Sequence, residues 1–293
     1  MHKKEVRSTL KALFELGKAR ISLPVALSAL TGYVLKTGTV GRDGLYLSLG
    51  VFLVSCSSGT INHWQERRED ALMPRTRNRP IPSGKISPAF ALVIAAAYLF
   101  PGSVVLIGFF PLAAFAASLV TLLAYNAFYT PLKKVTAFAV VPGSLVGALP
   151  PYVGWLAAGG GVFDPDIFLV AIFFFIGQIP HFWLLLLLFG KEYSLAGYPS
   201  LTTIFSENQI KRLSYTWILS TIASALLIAT KVMTSTVVVL FLLIYVLCLL
   251  IDTIRQLLFK RDLPVRPAFF KLNFLYLFMM ISLIVDRMLL RLQ

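Results

Sequence analysis

Nine apolar runs, each about 18 to 22 residues long, leave this chain few ways to fold. A helix rising 1.5 Å per residue needs that length to cross about 30 Å of hydrocarbon. The spans fall near residues 20–37, 44–62, 88–106, 109–127, 136–157, 166–188, 213–231, 235–254 and 272–290. Of the 293 residues 57% are hydrophobic and 14% charged, against about 25% charged in a soluble domain, which could not cover so much apolar surface. The chain reads as an all-α polytopic membrane protein of about nine transmembrane helices, one integral-membrane domain over 1–293. Residues 1–18 form a basic cytoplasmic lead-in, without the small-residue cleavage site of a signal peptide.

Charge sets the orientation. With this span assignment, twenty-two Lys and Arg fall on one side of the membrane and five (Lys36, Arg42, Lys231, Arg287 and Arg291) on the other. The positive-inside rule then places the N-terminus in the cytoplasm and the C-terminus outside, as expected for a bacterial plasma (inner) membrane protein in contact with lipid. Topology accounts for the net charge of +14, so no nucleic-acid partner is expected. Cys56 and Cys248 both lie in apolar runs, as packing residues rather than a disulfide or zinc site. Nearly all remaining polar chemistry sits in the inner connections, residues 63–87, 128–135, 189–212 and 255–271. Two of these cap loops follow the second and sixth spans, as a duplication of four-helix units would place them.

The densest chemistry is INHWQERREDALMPRTRNRPIPS, from Ile61 to Ser83. Asn62, Glu66 and Asp70 are four residues apart, so on a helix an amide and two carboxylates share one face, drifting about 40° per step. An all-oxygen set of this kind suits Mg²⁺, which prefers to share its shell with phosphate oxygens and water. Arg75, Arg77 and Arg79 alternate, and in an extended segment they would point to one side, where guanidinium forks match phosphate geometry. The competing reading is a solvated loop of i, i+4 ion pairs.

This stretch resembles the first aspartate-rich motif of the intramembrane prenyltransferase (UbiA) superfamily, and RTRNRPIPSGKI is similar to its heme O synthase branch. LGKARISLPVALSALTGYVL, YTPLKKVTAFAVVPGSLVGALPPYVGW and GQIPHFWLLLLLFGKEYSLAGYPSL fit that branch as well, so the likeness runs from about Leu16 to Thr203. It implies helices around a central, membrane-facing cavity, with a prenyl diphosphate head held through Mg²⁺ at the cytoplasmic cap. On that resemblance Asn62, Glu66 and Asp70 hold the metal and assist catalysis with Arg75 and Arg79. Lys134 and Arg77 meet the phosphates, and Glu192 and Tyr193 bind substrate at the second motif, with Glu192, its one carboxylate, as a fourth metal ligand. The chain departs from the family pattern at Arg68, where a further acid is common, and at Lys191 and AGYPSLT.

The implied reaction transfers a farnesyl group from farnesyl diphosphate to a vinyl group of heme b, giving heme O. Tyr129, with Trp64, Tyr125 and Tyr193, would face the allylic cation, since aromatic faces attract cations. Each also has an ordinary packing or interfacial role available. His181 lies deep in an apolar run, where ionisable groups mark function by default, as a heme contact, propionate partner or proton handler. Lys18 and Arg20 match a basic pair of the family, read here as anchors at lipid phosphates. Gly147, Pro150, Pro151 and Gly154 would loosen the fifth span, and Gly143 with Gly147 offers a GxxxG contact.

Two rivals stand beside this reading. One is a UbiA-type enzyme with a quinone-precursor aromatic acceptor. The other is a non-enzyme, either a catalytically silent heme-binding factor that works with heme-handling or oxidase-assembly proteins, or a transporter. A transporter would place its ionisable residues at mid-membrane, and here they gather at one face.

Overall fold

The computed structural model describes residues 10–292. Among them are nine helices of eighteen or more residues: α1 (Ala19–Thr37), α2 (Gly41–Gln65), α4 (Pro88–Phe109), α5 (Leu112–Leu132), α6 (Val140–Ala157), α7 (Pro165–Leu195), α8 (Glu207–Lys231), α9 (Thr236–Phe259) and α10 (Val265–Leu292). The short α3 (Arg67–Leu72) follows directly on α2. All but α1 are both long and apolar enough to span a membrane. α1 is less apolar because it carries Arg20 and Lys36 along with Ser22, Ser28 and Thr31. Every span read from the sequence is present, most of them a turn longer at the end that carries polar residues. Lys3, Lys4 and Arg7 of the lead-in lie outside the described residues.

Local signals set the helix ends. Ser87 accepts the Phe90 N–H ahead of Pro88 at the first helical position, and Ser206 with Gln209 forms a capping box at α8. Gly38 ends α1 at φ 70°, a conformation that a side chain would strain.

α1 is the central strut, packed against α2, α6 and α10, while α6 also meets α5 and α7. Its contact with α6 is close because two glycines are present. A side chain at Gly154 would strike the backbone of Ala29 and Tyr33, and one at Gly32 would strike the Pro151 carbonyl. α6 runs through Pro150 and Pro151 as one helix, with both rings buried. The GxxxG pair does something else: Gly143 makes room for the Tyr129 ring and Gly147 for the Gln178 side chain.

The outer surface is greasy. On α9, Leu240, Ile244, Leu247, Ile251, Ile254 and Leu258 form an exposed stripe at helical spacing, while Val238, Leu242, Val246 and Leu249 face inward. Such a stripe is satisfied by lipid, not water. Cys248 lies exposed on the same helix, and Cys56 is buried in α2.

Candidate active site at the cytoplasmic ends of the helices

Asn62 and Glu66 stand at the end of α2 and Asp70 in α3, and all three are buried, at 0%, 5% and 1% exposure. The helix falters at Glu66 (φ −101°, ψ 8°), yet the i, i+4 bonds continue across it. The Glu66 N–H reaches the Asn62 carbonyl at 3.0 Å and the Asp70 N–H the Glu66 carbonyl at 2.8 Å. The expected row of oxygens is therefore present on one side of a nearly continuous helix.

Each member of the row faces a cation. The Lys18 ammonium donates to Asn62 Oδ1 at 2.5 Å, Lys133 pairs with Glu66, and Arg79 Nη1 lies 2.9 and 2.8 Å from the two Asp70 oxygens. The Tyr198 hydroxyl adds a 3.4 Å bond to Glu66. Beside the row, Lys134 donates to Glu69 at 2.5 Å and to the Gln65 carbonyl at 3.3 Å. Glu192, at the end of α7, accepts the Arg75 backbone N–H at 3.3 Å with the Arg75 side chain at 3.9 Å. The Arg75 guanidinium lies over the Phe189 ring, so the loops after α2 and α7 meet as one cap.

The alternating arginines are not extended. Residues 73–86 fold into successive turns, closed by bonds from Arg77 N–H to Met73 O, Ser83 N–H to Arg79 O and Ile86 N–H to Pro80 O. Turns rotate alternate residues to different sides, so only Arg79 reaches the row, Arg75 reaches Glu192, and Arg77 is exposed with no ion pair among the described residues. Lys18 also departs from its expected role as a lipid anchor. Its backbone is left-handed (φ 48°, ψ 40°), which turns the side chain inward to Asn62 and to the Tyr125 hydroxyl at 3.3 Å. Arg20 is exposed.

Burial and charge oppose each other here. Burial pulls the Lys18 ammonium down to about 7, with Glu66 and Asp70 pushing it up and Arg79 and Lys133 adding to the fall. For Glu66 burial pushes up, but Lys133, Lys18 and Arg79 together hold the carboxyl below its ordinary value. For Lys133 burial pulls down and Glu66 more than offsets it, leaving the ammonium above the ordinary lysine value. The Tyr198 phenol is raised, by burial first and then by Glu66.

Above the cap stands an aromatic wall. Tyr125 and Tyr129 stack at 5.8 Å, and Tyr129 meets Phe182 at 5.7 Å. Tyr193 meets Tyr198 at 5.6 Å, and the Lys133 ammonium lies over the Tyr129 and Tyr198 rings at 5.7 and 5.5 Å. Trp64 is not part of the wall; it sits beneath Arg67 among Leu13, Leu16 and Ile81. His181 is not part of it either. It turns toward α10, with its ring 5.0 Å from Phe269 and 6.4 Å from Tyr276 and its Nδ1 without a hydrogen-bond partner.

Among the described residues no three His, Cys, Asp or Glu side chains gather in one group, so a metal held here would draw on Glu66, Asp70 and the Asn62 amide together with oxygens from outside the protein. The donors fit a hard divalent cation. They are all oxygens, they are buried together, and each already points at positive charge. Glu192, the expected fourth ligand, is engaged with Arg75 instead.

Lys18, to which the sequence reading gave another role, is joined in the site by residues that reading missed: Lys133, Tyr198, Asn126 and Thr130. The last two had a visible signal, since they are polar and four apart within an apolar span.

Known proteins resemble this chain in sequence and in fold. Protoheme IX farnesyltransferase of Oleidesulfovibrio alaskensis is 40% identical over 190 residues, covering 65% of this chain and 67% of its own. The protein of the same name from Azotobacter vinelandii is 34% identical over 291 residues, 96% of this chain and 94% of its own. Among solved structures, a UbiA homolog from Archaeoglobus fulgidus bound to GPP and Mg²⁺ superposes with a TM-score of 0.67 at 17% identity, over 93% of this chain and 99% of that one. The apo UbiA homolog from Aeropyrum pernix K1 gives 0.72 at 15%, over 91% and 98%. These two likenesses are of fold. The pattern of the UbiA prenyltransferase family matches residues 25–278, and the chain belongs to that family.

Proposed function

We propose that this protein is a protoheme IX farnesyltransferase, joining the farnesyl group of farnesyl diphosphate to a vinyl group of heme b to give heme O. The observation that carries the reading is the buried row Asn62, Glu66 and Asp70, each member facing a cation at the mouth of a greasy helical bundle. A relative of that name, 34% identical over nearly the whole chain, supports the choice of acceptor.

Asn62, Glu66 and Asp70 would hold Mg²⁺, with Glu192 contributing from the second motif. Bound there, the ion supplies positive charge against the leaving diphosphate. Lys18, Lys133 and Arg79 are positioned to take phosphate oxygens as they release their present partners, with Arg75, Arg77 and Lys134 at the rim. The carbon–oxygen bond of the allylic diphosphate breaks, and both its electrons leave with the diphosphate. Tyr125, Tyr129, Phe182 and Tyr193 shelter the allylic cation from water and turn ring faces toward it. A heme vinyl group attacks that cation, water adds to the cation left on the vinyl carbon, and the proton it sheds passes to the departed diphosphate, so no protein base is required for the addition. His181, on the α10 side of α7, belongs to the acceptor's part of the site.

The same reading makes the chain one domain of the inner membrane, N-terminus cytoplasmic and C-terminus outside. The diphosphate head then arrives from the cytoplasm while its tail stays in lipid, and heme-handling or oxidase-assembly proteins are the natural neighbours.

The test supplies farnesyl diphosphate, Mg²⁺ and heme b to membranes containing the full chain and extracts the heme for mass spectrometry. The expected result is a mass increase of one farnesyl group plus one hydroxyl, as a vinyl becomes a hydroxyethylfarnesyl group, lost in Asp70→Asn. Prenylation of a hydroxybenzoate but not of heme overturns the acceptor. Parental turnover by Asp70→Asn overturns the metal row.

A further inference from the structure

Where α5 reaches the cap, the α-helix widens into a π-helix over Ala124–Tyr129. Such one-turn bulges re-aim the side chains that follow and recur at functional sites. Two features hold this one. Asn126 is stitched to α2: its Oδ1 accepts the Ser58 hydroxyl at 2.6 Å, and its Nδ2 donates to the Ser58 carbonyl at 3.0 Å and to Gln65 Oε1 at 3.2 Å. Gln65 Nε2 returns a bond to the Asn126 carbonyl at 2.8 Å. Thr130, five residues beyond Tyr125 and 1% exposed, then places its hydroxyl between the two helices.

The proton count at that hydroxyl decides the orientation of Asn62. A threonine hydroxyl has one hydrogen, and this one is donated to the Tyr125 carbonyl at 2.9 Å. Toward Asn62 it offers only lone pairs, so the amide must turn its nitrogen there, and Nδ2 donates to Thr130 Oγ1 at 3.0 Å. The amide oxygen is thereby forced to the other side, where the Lys18 ammonium, a donor with no acceptor, meets it at 2.5 Å. Asn62 has no exposed surface through which it could flip freely.

We propose that Thr130 is a positioning residue: together with the π-turn it fixes the Asn62 amide so that the oxygen, not the nitrogen, faces the metal and diphosphate. A flipped amide would present two N–H groups to a cation. The inference rests on the metal-row reading above and adds to it the residue that orients one ligand.

The experiment uses the full chain in detergent with Mn²⁺ and farnesyl thiolodiphosphate, which does not ionise, and reads bound Mn²⁺ by electron paramagnetic resonance. Thr130→Val keeps the shape and removes the hydroxyl; it is expected to weaken Mn²⁺ binding by about 10- to 100-fold, the usual scale for a group that orients a ligand. Thr130→Ser restores binding to within about threefold, and KM for heme b moves in neither variant. In an Asn62→Asp background, where the two oxygens are equivalent, adding Thr130→Val has less than about a threefold effect. Unchanged Mn²⁺ affinity in Thr130→Val overturns the proposal. So does an undiminished loss in the Asn62→Asp background, which would mean that Thr130 only supports the fold. A parental protein that binds no Mn²⁺ removes the metal row itself, a result separable from either.

Discussion

Replacing Lys133 by methionine keeps most of the side chain's bulk and removes the cation that pairs with Glu66. The Glu66 side chain is 7% exposed and that of Lys133 20%, so water replaces little of what is lost. Breaking a buried pair from one side costs about 3–5 kcal/mol when the remaining charge has no escape. Glu66 does have one: it can take a proton. For a glutamate of ordinary pKa near 4.3 that costs about 4 kcal/mol at pH 7 and about 1 kcal/mol at pH 5, which caps the penalty at each pH. Lys18 and Arg79 still favour the charged form, and Tyr198 still donates, so about 2–3 kcal/mol is expected at pH 7.

The sign of the pH dependence is the sharper test. In the parental protein the Glu66 carboxyl is held low, so its stabilisation is present above the ordinary glutamate value and is lost only as pH falls through the depressed one. The Lys133 ammonium is held high, so its share is present below the ordinary lysine value and is lost only as pH rises through the raised one. Between pH 5 and pH 7 neither changes, whereas the deficit of Lys133→Met grows over the same interval. Thermal unfolding in detergent with EDTA, followed by tryptophan fluorescence, should show a midpoint lowered by about 5–10 °C at pH 7 and by no more than about 4 °C at pH 5. Adding Glu66→Gln should recover most of the loss, because a neutral pair leaves no charge stranded. An equal deficit at both pH values, or no recovery in the double variant, would refute the account of this pair.

Other variants probe separate parts. Arg79→Ala strands Asp70 at 1% exposure and should cost about 2–3 kcal/mol with at least a hundredfold loss of turnover, whereas Arg77→Ala should stay within about 0.5 kcal/mol; comparing midpoints and rates of the two checks this. Gly154→Ala should lower the thermal midpoint by the equivalent of about 1–3 kcal/mol because the new methyl meets Ala29 backbone, while Gly108→Ala, with open space around it, should raise it slightly. In a chain with Cys56 and Cys248 replaced by alanine, an impermeant maleimide should label Phe163→Cys in intact cells and Lys260→Cys only after lysis; the reverse pattern inverts the topology.

What the sequence made legible follows from which constraints are local. A bilayer demands unbroken apolar length, so all nine spans could be read, and α1 too, although Arg20, Lys36 and its buried serines lower its apolarity. The 3.6-residue period put Asn62, Glu66 and Asp70 on one face, a matter of a single helix. The arginines went wrong because alternation aims side chains one way only in an extended strand, and Pro74, Pro80 and Thr76 make turns instead; the Thr76 hydroxyl closes on the Asp70 carbonyl at 2.8 Å. Lys18 went wrong for a different reason. Its partner Asn62 is 44 residues away, and the left-handed position that aims it is taken by Lys18 itself and not by the neighbouring Gly17. The π-turn likewise depends on Asn126 meeting Ser58 and Gln65 on α2, which no local pattern in AYNAFYT reveals.

The pairing of the cap carries a last consequence for the proposed reaction. Glu66, Glu69, Asp70 and Glu192 each hold a basic partner, Lys18 rests on a neutral amide and Arg77 has no ion pair among the described residues, so the cations outnumber the carboxylates. An isolated carboxylate row would attract a divalent ion but repel a diphosphate, and a purely basic loop would do the opposite. A diphosphate with about three negative charges, arriving with one Mg²⁺, carries about one negative charge in total, which the surplus of cations balances. Binding then becomes an exchange of partners at nearly constant charge: carboxylates pass from ammonium and guanidinium to metal, and the released cations pass to phosphate. Such an exchange avoids leaving any buried charge unpaired at any stage, which in a low-dielectric site would cost several kcal/mol per ion.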